Sequence, residues 1–314
     1  MPLLEIPLKS KFLGCLIGSA IGDSVGSLHE GLGVPQQRIE PSVGRWTDDT
    51  HMMIGVAESL VESEGFNGKA MAQTFIGNYE REPWRGYASG PPMVFSWIKS
   101  GISWNEAARK LFHGEGSFGN GTAMRVGPVG LLWHDDPDAL HSVACSQSRI
   151  THTHESAIQG AVLQAYAVAL ATNAQPSSGL NPVVFLRSMM DFTPNEIYKQ
   201  KLQNARKLLE KAGRRQVARE LGNGVEAFNS VPTAAYSFLR HHESFEEAIV
   251  YAVSLGGDTD TIGAMTGAIS GAYHGIKAIP EEWRIPLERR NYIEELAKRL
   301  YSIKHRMKLK RSQI

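Results

Sequence analysis

Glycine recurs at every fourth residue in two separate segments: Gly14, Gly18, Gly22 and Gly26 in one, and Gly263, Gly267, Gly271 and Gly275 in the other. Each glycine inside a helix costs about 1 kcal/mol relative to alanine, so a run of four needs compensation from packing. Residues four apart form the ridge along which helices interdigitate. A ridge stripped of side chains lets a second backbone come unusually close. The spacing therefore predicts that the two stripes face each other antiparallel. That would bring the end of the first helix, around Gly22 and Asp23, beside the start of the second, around Asp258.

The rest of the chain supports an all-α fold. "DTHMMIGVAESLVES", "GKAMAQTFIGNYERE", "HESAIQGAVLQAYAVALAT", "PNEIYKQKLQNARKLLEKA", "SFEEAIVYAVSLG" and "RNYIEELAKRLYSIKHRMK" each place apolar residues three and four apart, the period of a helix with one buried face. Alternating, strand-like runs are nearly absent; "GPVGLLW" suits extended chain or helix. Turn residues separate the periodic segments, as in Glu82-Pro83, Pro91-Pro92 and "QPSSGLNP". No Pro/Gly/Ser-rich linker divides the 314 residues, so one domain over 1–314 is expected, large enough to bury a core. Its end, about 303–314, is basic, with Lys304, Arg306, Lys308, Lys310 and Arg311, and reads as a solvated, frayed helix end.

Lysine plus arginine number 33 and aspartate plus glutamate 32, a balance that argues against a nucleic-acid or anionic-membrane binder. The two cysteines, Cys15 and Cys145, are too few for a disulfide framework and lack metal-ligand spacing. The N-terminus has no signal-peptide pattern, and the longest apolar run, near "GAVLQAYAVALA", is too short to span a bilayer. A cytoplasmic, monomeric protein is the expectation.

Two acidic clusters precede apolar helical segments: Thr47, Asp48 and Asp49 in "WTDDTHMM", and Asp258, Asp260 and Thr261 in "GGDTDTIGAM". On a regular helix Asp258 and Asp260 would point roughly 200° apart, so they converge only if they lie in the first turn, which Gly256 and Gly257 permit. Helix N-termini favour anions, and Asp or Thr there can simply cap. A cap needs one oxygen, however, and each cluster supplies two carboxylates with hydroxyls besides. Four carboxylates brought together resist ionisation unless a cation joins them. An all-oxygen set suits Mg²⁺ foremost, with Mn²⁺ or Ca²⁺ as alternatives, and four carboxylates suggest two ions. Independently, "GEGSFGNGTAMR" reads as a phosphate-contacting loop: Gly119 and Gly121 let backbone amides approach an anion, Ser117 and Asn120 add donors, and Phe118 could lie against a ribose or base. His152 and His154, two apart, do not make a zinc pair, and a cap or core role suits His154.

Taken together in order, "FLGCLIGSAIGDSVGSLHEG", "WTDDTHM", "RGYASG", "GSFGNGTAMRVGPVGLL", "SRITHTHESAIQGA", "NSVPTAAYSFL" and "GGDTDTIGAMTGAISGAYHG" resemble the ADP-ribosylglycohydrolase family, which includes dinitrogenase-reductase-activating glycohydrolases and ADP-ribosyl-acceptor hydrolases. The resemblance covers nearly the whole chain. It implies a compact multi-helix orthogonal bundle and two divalent metal ions. It also implies cleavage of the bond between the distal ribose of ADP-ribose and a protein or small O-linked acceptor. Carried over by position, it makes Thr47, Asp48, Asp49, Asp258, Asp260 and Thr261 metal ligands. Glu30, with Asp258, becomes a catalytic group. Ser117, Phe118, Gly119, Asn120 and Gly121 hold the pyrophosphate and distal ribose, and His152 belongs to the ligand pocket. Asp23 stays a structural, helix-end hydrogen-bonding residue. "HEG", "RGYASG" and "THTH" depart from forms seen in single branches, which leaves the acceptor (arginine, serine, O-acetyl or poly-ADP-ribose) open. Two other readings fit the same chain: a non-catalytic ADP-ribose-binding or crystallin-like relative, and a metal-dependent nucleotide phosphohydrolase.

Overall fold

The periodic segments form helices close to their expected limits. The computed structural model describes residues 5–34 and 38–311. The first half of the chain gives α1 (Leu8–Gly26), α2 (Asp48–Glu62), α3 (Gly68–Arg81), α4 (Gly90–Lys99), α5 (Gly127–Leu132), α6 (Pro137–Ser148) and α7 (Glu155–Asn173). The second gives α8 (Pro182–Phe192), α9 (Glu196–Leu208), α10 (Arg214–Leu221), α11 (Ala227–Arg240), α12 (Phe245–Val253), α13 (Thr259–His274), α14 (Glu281–Arg284) and α15 (Arg290–Arg311). Among the described residues there is no strand, only an isolated antiparallel bridge between Gly119 and Glu226. The ambiguous "GPVGLLW" is helical, as α5.

Local chemistry explains where these helices begin. Asn67, Asp136, Asn181, Asn195 and Ser244 each accept a hydrogen bond from a first-turn amide, satisfying donors that have no partner inside the helix. Prolines occupy the first turn of α4, α5, α6 and α8, where the missing N–H costs nothing.

The two glycine stripes meet antiparallel, as their spacing predicts. A Cβ placed on Gly14 would lie 2.2 Å from Gly271 O, on Gly18 2.4 Å from Gly267 O, and on Gly22 2.0 Å from Gly263 O. The reverse also holds, with Gly267 against Gly18 O at 2.0 Å and Gly271 against Gly14 O at 1.9 Å. Such separations leave no room for any side chain, so the helices touch backbone to backbone. Around this seam α13 also packs on α7, α11 and α12, and α1 on α15. Residues around the whole circumference of α1 and α13 are buried, so together they form the centre of the bundle.

Both cysteines are free and buried. No described helix is long and apolar enough to cross a membrane. The basic C-terminal segment differs from its expectation in one respect. Lys304 is buried and pairs with Asp135, and Arg306 pairs with Glu64 at 2.7 Å, so this turn docks on the body where a frayed end was expected. Residues 312–314 lie outside the described residues.

The seam yields a prediction whose sign is opposite at two glycines. Gly18→Ala should lower the unfolding free energy by at least about 2 kcal/mol, because overpacking outweighs the roughly 1 kcal/mol gain in helix propensity. Gly77→Ala, on α3 where a Cβ would meet nothing nearer than Arg81 at 4.0 Å, should gain about 0.5–1 kcal/mol. Urea denaturation of both variants reads the difference.

Candidate active site

The glycine seam ends at a cluster of acids. Where α1 stops against the start of α13, a Cβ on Gly26 would lie 2.5 Å from Asp260 Cα, and Thr259 Oγ1 donates to Gly26 O at 2.8 Å. Thr259 thereby fixes the depth at which Asp258 and Asp260 sit. One turn before the end of α1, the fully buried Asp23 accepts from the amides of Thr47 and Thr50, each at 3.0 Å. It also accepts from the hydroxyls of Thr47 at 2.9 Å and Thr50 at 2.6 Å. Asp23 is thus the helix-end hydrogen-bonding residue expected, but it caps α2 rather than its own helix. Thr47 Oγ1 adds a cap from Asp49 N at 3.3 Å. With α2 capped by these groups, Asp48 and Asp49 are free to face the cavity.

A tight turn delivers the second cluster. Gly256 and Gly257 have φ of 70° and 76°, and a Cβ would strike Leu32 O at 2.7 Å from the first and Asn223 O at 2.2 Å from the second. Gly257 N donates to Leu32 O at 2.9 Å, Gly31 N to Gly257 O at 2.8 Å, and Asp258 N to Asn223 O at 2.8 Å. Asp258 therefore begins α13 without spending its carboxylate on a cap; the carboxylate accepts instead from Asn120 Nδ2 at 2.5 Å. Thr261 Oγ1 donates to Asp49 Oδ1 at 3.4 Å, which joins the two clusters directly.

Carboxylate oxygens of Asp23, Asp49 and Asp260 lie within 4.8 Å of one another, and so do those of Glu30, Asp258 and Asp260. Asp260 belongs to both groups. Burial raises every one of the deep carboxyls, and like charges raise them further. Burial and Asp258 push Asp260 up to about 7. Burial, opposed by the hydrogen bond from Thr50, leaves Asp23 at about 7. Burial, then the charge of Asp260, holds Asp49 well above the usual carboxylate range, and burial with Asp23 does the same for Asp48. Glu30, at the exposed rim, is raised first by the charge of Asp260. Asp49 Oδ2 is buried and has no hydrogen-bond partner. A buried, orphaned carboxylate oxygen amid four other acids and a threonine hydroxyl fits a hard divalent cation, which these residues could hold. Asp48 lines the same cavity but stands outside both groups of three.

The cavity in front of the acids has a volume of about 360 Å³, and every site residue singled out from the sequence lines it. The 117–121 loop and His152 also line it. Here the structure reassigns several donors. Gly119 N donates to Ser117 Oγ at 3.2 Å and Asn120 N to Val225 O at 2.9 Å, so these two amides are already engaged. Asn120 Nδ2 serves Asp258 and Ser230, which makes Asn120 the link between loop and acids. Gly119 and Gly121 act by leaving room: a Cβ on Gly121 would lie 3.0 Å from His152 Cε1. Phe118 stands half-exposed at the rim, edge-on to His154, and His154 caps α7 by accepting from Ser156 N at 3.1 Å.

Among the lining residues that the sequence does not single out, three stand apart. Arg125 and Thr151 belong to quoted motifs, "GTAMR" and "RITHTH", but nothing in those strings reveals that both are fully buried. Phe112 is exposed at the mouth in a left-handed conformation, φ 49°, which its sequence context gives no sign of.

The sequence profile described as ADP-ribosylglycohydrolase matches residues 4–309. The chain is 35% identical to ADP-ribosylhydrolase ARH3 of Homo sapiens over 94% of its own length and 93% of the relative's. It is 26% identical to ADP-ribosylarginine hydrolase Tri1 of Pseudomonas putida, covering 92% of this chain and 77% of that one. A solved structure titled "ADP-ribosylglycohydrolase-related protein complex" superposes with a TM-score of 0.76 at 27% identity, over 95% of this chain and 99% of that one.

The raised carboxyls set a pH dependence. Unfolded, Asp23 and Asp260 release protons near pH 4; folded, they do so near 7. Between those values the folded state binds more protons, so stability falls as pH rises. Chelator-treated protein should lose on the order of 5 kcal/mol between pH 5 and 8, and added Mg²⁺ should restore most of it at pH 8 and little at pH 5. Urea titrations at both pH values, with and without cation, check this.

Proposed function

Because the chain belongs to the ADP-ribosylglycohydrolase family, we propose that it hydrolyses the bond between the distal ribose of ADP-ribose and an acceptor, releasing free ADP-ribose. The observation that carries this reading is the pair of acid groups sharing Asp260 in one cavity with a glycine-rich loop, the two joined by the bond from Asn120 to Asp258. Two divalent cations, Mg²⁺ foremost, would be held by Thr47, Asp48, Asp49, Asp258, Asp260 and Thr261, and when bound they supply the positive charge that orients ribose hydroxyls and acidifies water.

The protein's own groups do the rest. The 117–121 loop and His152 bind the pyrophosphate, with Phe118 against a ribose or the base. This fixes the anomeric carbon before the acids, so much of the barrier is met by positioning. Asn120 holds Asp258 at its Oδ2 while the ligand lies over the loop, so loop occupancy and acid placement are coupled. Glu30, raised by Asp260 and exposed at the rim, accepts the proton of attacking water at its carboxylate as the sugar passes through an oxocarbenium-like state. The bond from the anomeric carbon to the acceptor breaks, the proton held by Glu30 passes to the acceptor's leaving atom, and the acceptor departs through the mouth beside Glu30. Two unpaired, buried cysteines suit a reducing compartment such as the cytoplasm.

The test is a panel of arginine-, serine- and O-acetyl-linked ADP-ribose incubated with Mg²⁺. At least one linkage should give free ADP-ribose, and Asp258→Asn should lower kcat/KM by more than about a hundredfold. AMP with ribose phosphate as products, or equal activity in the variant, would overturn the assignment. The linkage cleaved fastest identifies the acceptor.

A further inference from the structure

Arg125 is fully buried, and Asp48 is a carboxylate whose charge reaches its guanidinium. Its guanidinium lies 4.7 Å from the centroid of the Phe75 ring. Nε and one terminal nitrogen donate to Gln147, to Oε1 and to the backbone oxygen, each at 2.9 Å. The other terminal nitrogen donates to Thr151 Oγ1 at 2.9 Å, and Thr151 Oγ1 in turn lies 2.9 Å from His152 Nδ1. All three residues line the cavity.

The direction of the last bond follows from proton counting. A threonine hydroxyl has one proton to give, and a guanidinium can only donate. Thr151 Oγ1 accepts from Arg125, so its proton is free for an acceptor, and among the described residues His152 Nδ1 is the acceptor it meets. Were Nδ1 the protonated nitrogen, both neighbours would donate into one hydroxyl and leave its own proton buried without a partner, which is disfavoured. Nδ1 is therefore the acceptor, and the ring proton sits on Nε2. Nε2 faces the loop, 3.3 Å from where a Cβ on Gly121 would be.

We propose that Arg125 and Thr151 are positioning residues that hold His152 in its Nε2–H tautomer, presenting a neutral N–H donor to an anionic oxygen of the ligand. Burial first, and the Arg125 charge second, keep the ring neutral, with its pKa down at about 3, so the donor is present throughout the physiological range. The identity of that oxygen as pyrophosphate rests on the ADP-ribose reading; the tautomer does not.

The experiment is a long-range proton–nitrogen correlation spectrum of ¹⁵N-labelled, Mg²⁺-loaded full-length protein at pH 7, with His152 assigned by its loss in His152→Asn. An unprotonated Nδ1 and a protonated Nε2 are expected. Thr151→Val should collapse this pattern towards a mixture of tautomers and raise the Kd for ADP-ribose about tenfold, while Thr151→Ser retains both properties. A protonated Nδ1 or an imidazolium in the wild-type spectrum would overturn the proposal, as would an unchanged pattern in Thr151→Val. The wild-type spectrum decides even if the valine variant fails to fold. The expected tautomer without ADP-ribose binding would support the lock and sink the ligand assignment, so the two failures are distinguishable.

Discussion

Backbone contact between α1 and α13 is the constraint on which the rest of this protein depends. A seam without side chains has no adjustable parts: its register is set where carbonyl oxygens of one helix meet the Cα atoms of the other. Because the stripe on α1 ends at Gly26, against Thr259 and Asp260, the same register that builds the core also sets the acids' position. Core and site are one construction. The cost of seven helix-weakening glycines (the eighth, Gly275, ends α13 as its C-cap) is offset by close van der Waals contact along two buried helices.

The site resolves a conflict between burial and charge. Carboxyls that deep resist ionisation, yet the fold gathers five of them with a sixth at the rim. Two devices hold them there. Helix starts present partial positive charge to α2's and α13's acids, and hydrogen bonds fix those starts: Asp23 caps α2, the Asn223 carbonyl takes the amide of Asp258, and Asp260 Oδ1 accepts from Thr261 N at 2.9 Å. The repulsion that remains is what a cation held among these acids would relieve.

Much of this was legible in the sequence because it is carried by short-range pattern. Apolar period, glycine period and adjacent acids all lie within windows of a few residues, so the helices, the seam and the two clusters could be read. What could not be read depends on partners far along the chain. Asp23 looks like a residue ending α1, and its bonds to Thr47 and Thr50 appear only in three dimensions. Lys304 resembles any lysine of a basic tail, yet it is buried against Asp135. Pro232 sits inside α11 where local rules would break the helix, and Phe112 and His113 adopt left-handed angles that no glycine announces. Asn120 looks like a ligand donor within its loop, yet its amide is turned to Asp258, more than a hundred residues away along the chain.

The reciprocal amide bonds tying Gly31 and Leu32 to Gly257 have an evolutionary consequence. They anchor the short segment after α1 at both ends, Gly26 at the seam and Gly31 at the turn, with Glu30 strung between. A residue inserted or deleted in that span would misplace the rim acid relative to Asp258, so its length is frozen. The wall around Phe118 is tied in the same reciprocal way, Phe118 O to Ala227 N and Asn120 N to Val225 O, whereas the Phe112 oxygen is bonded only within its own turn, to Glu115 N, so a change of length or shape there leaves the chemistry beneath undisturbed.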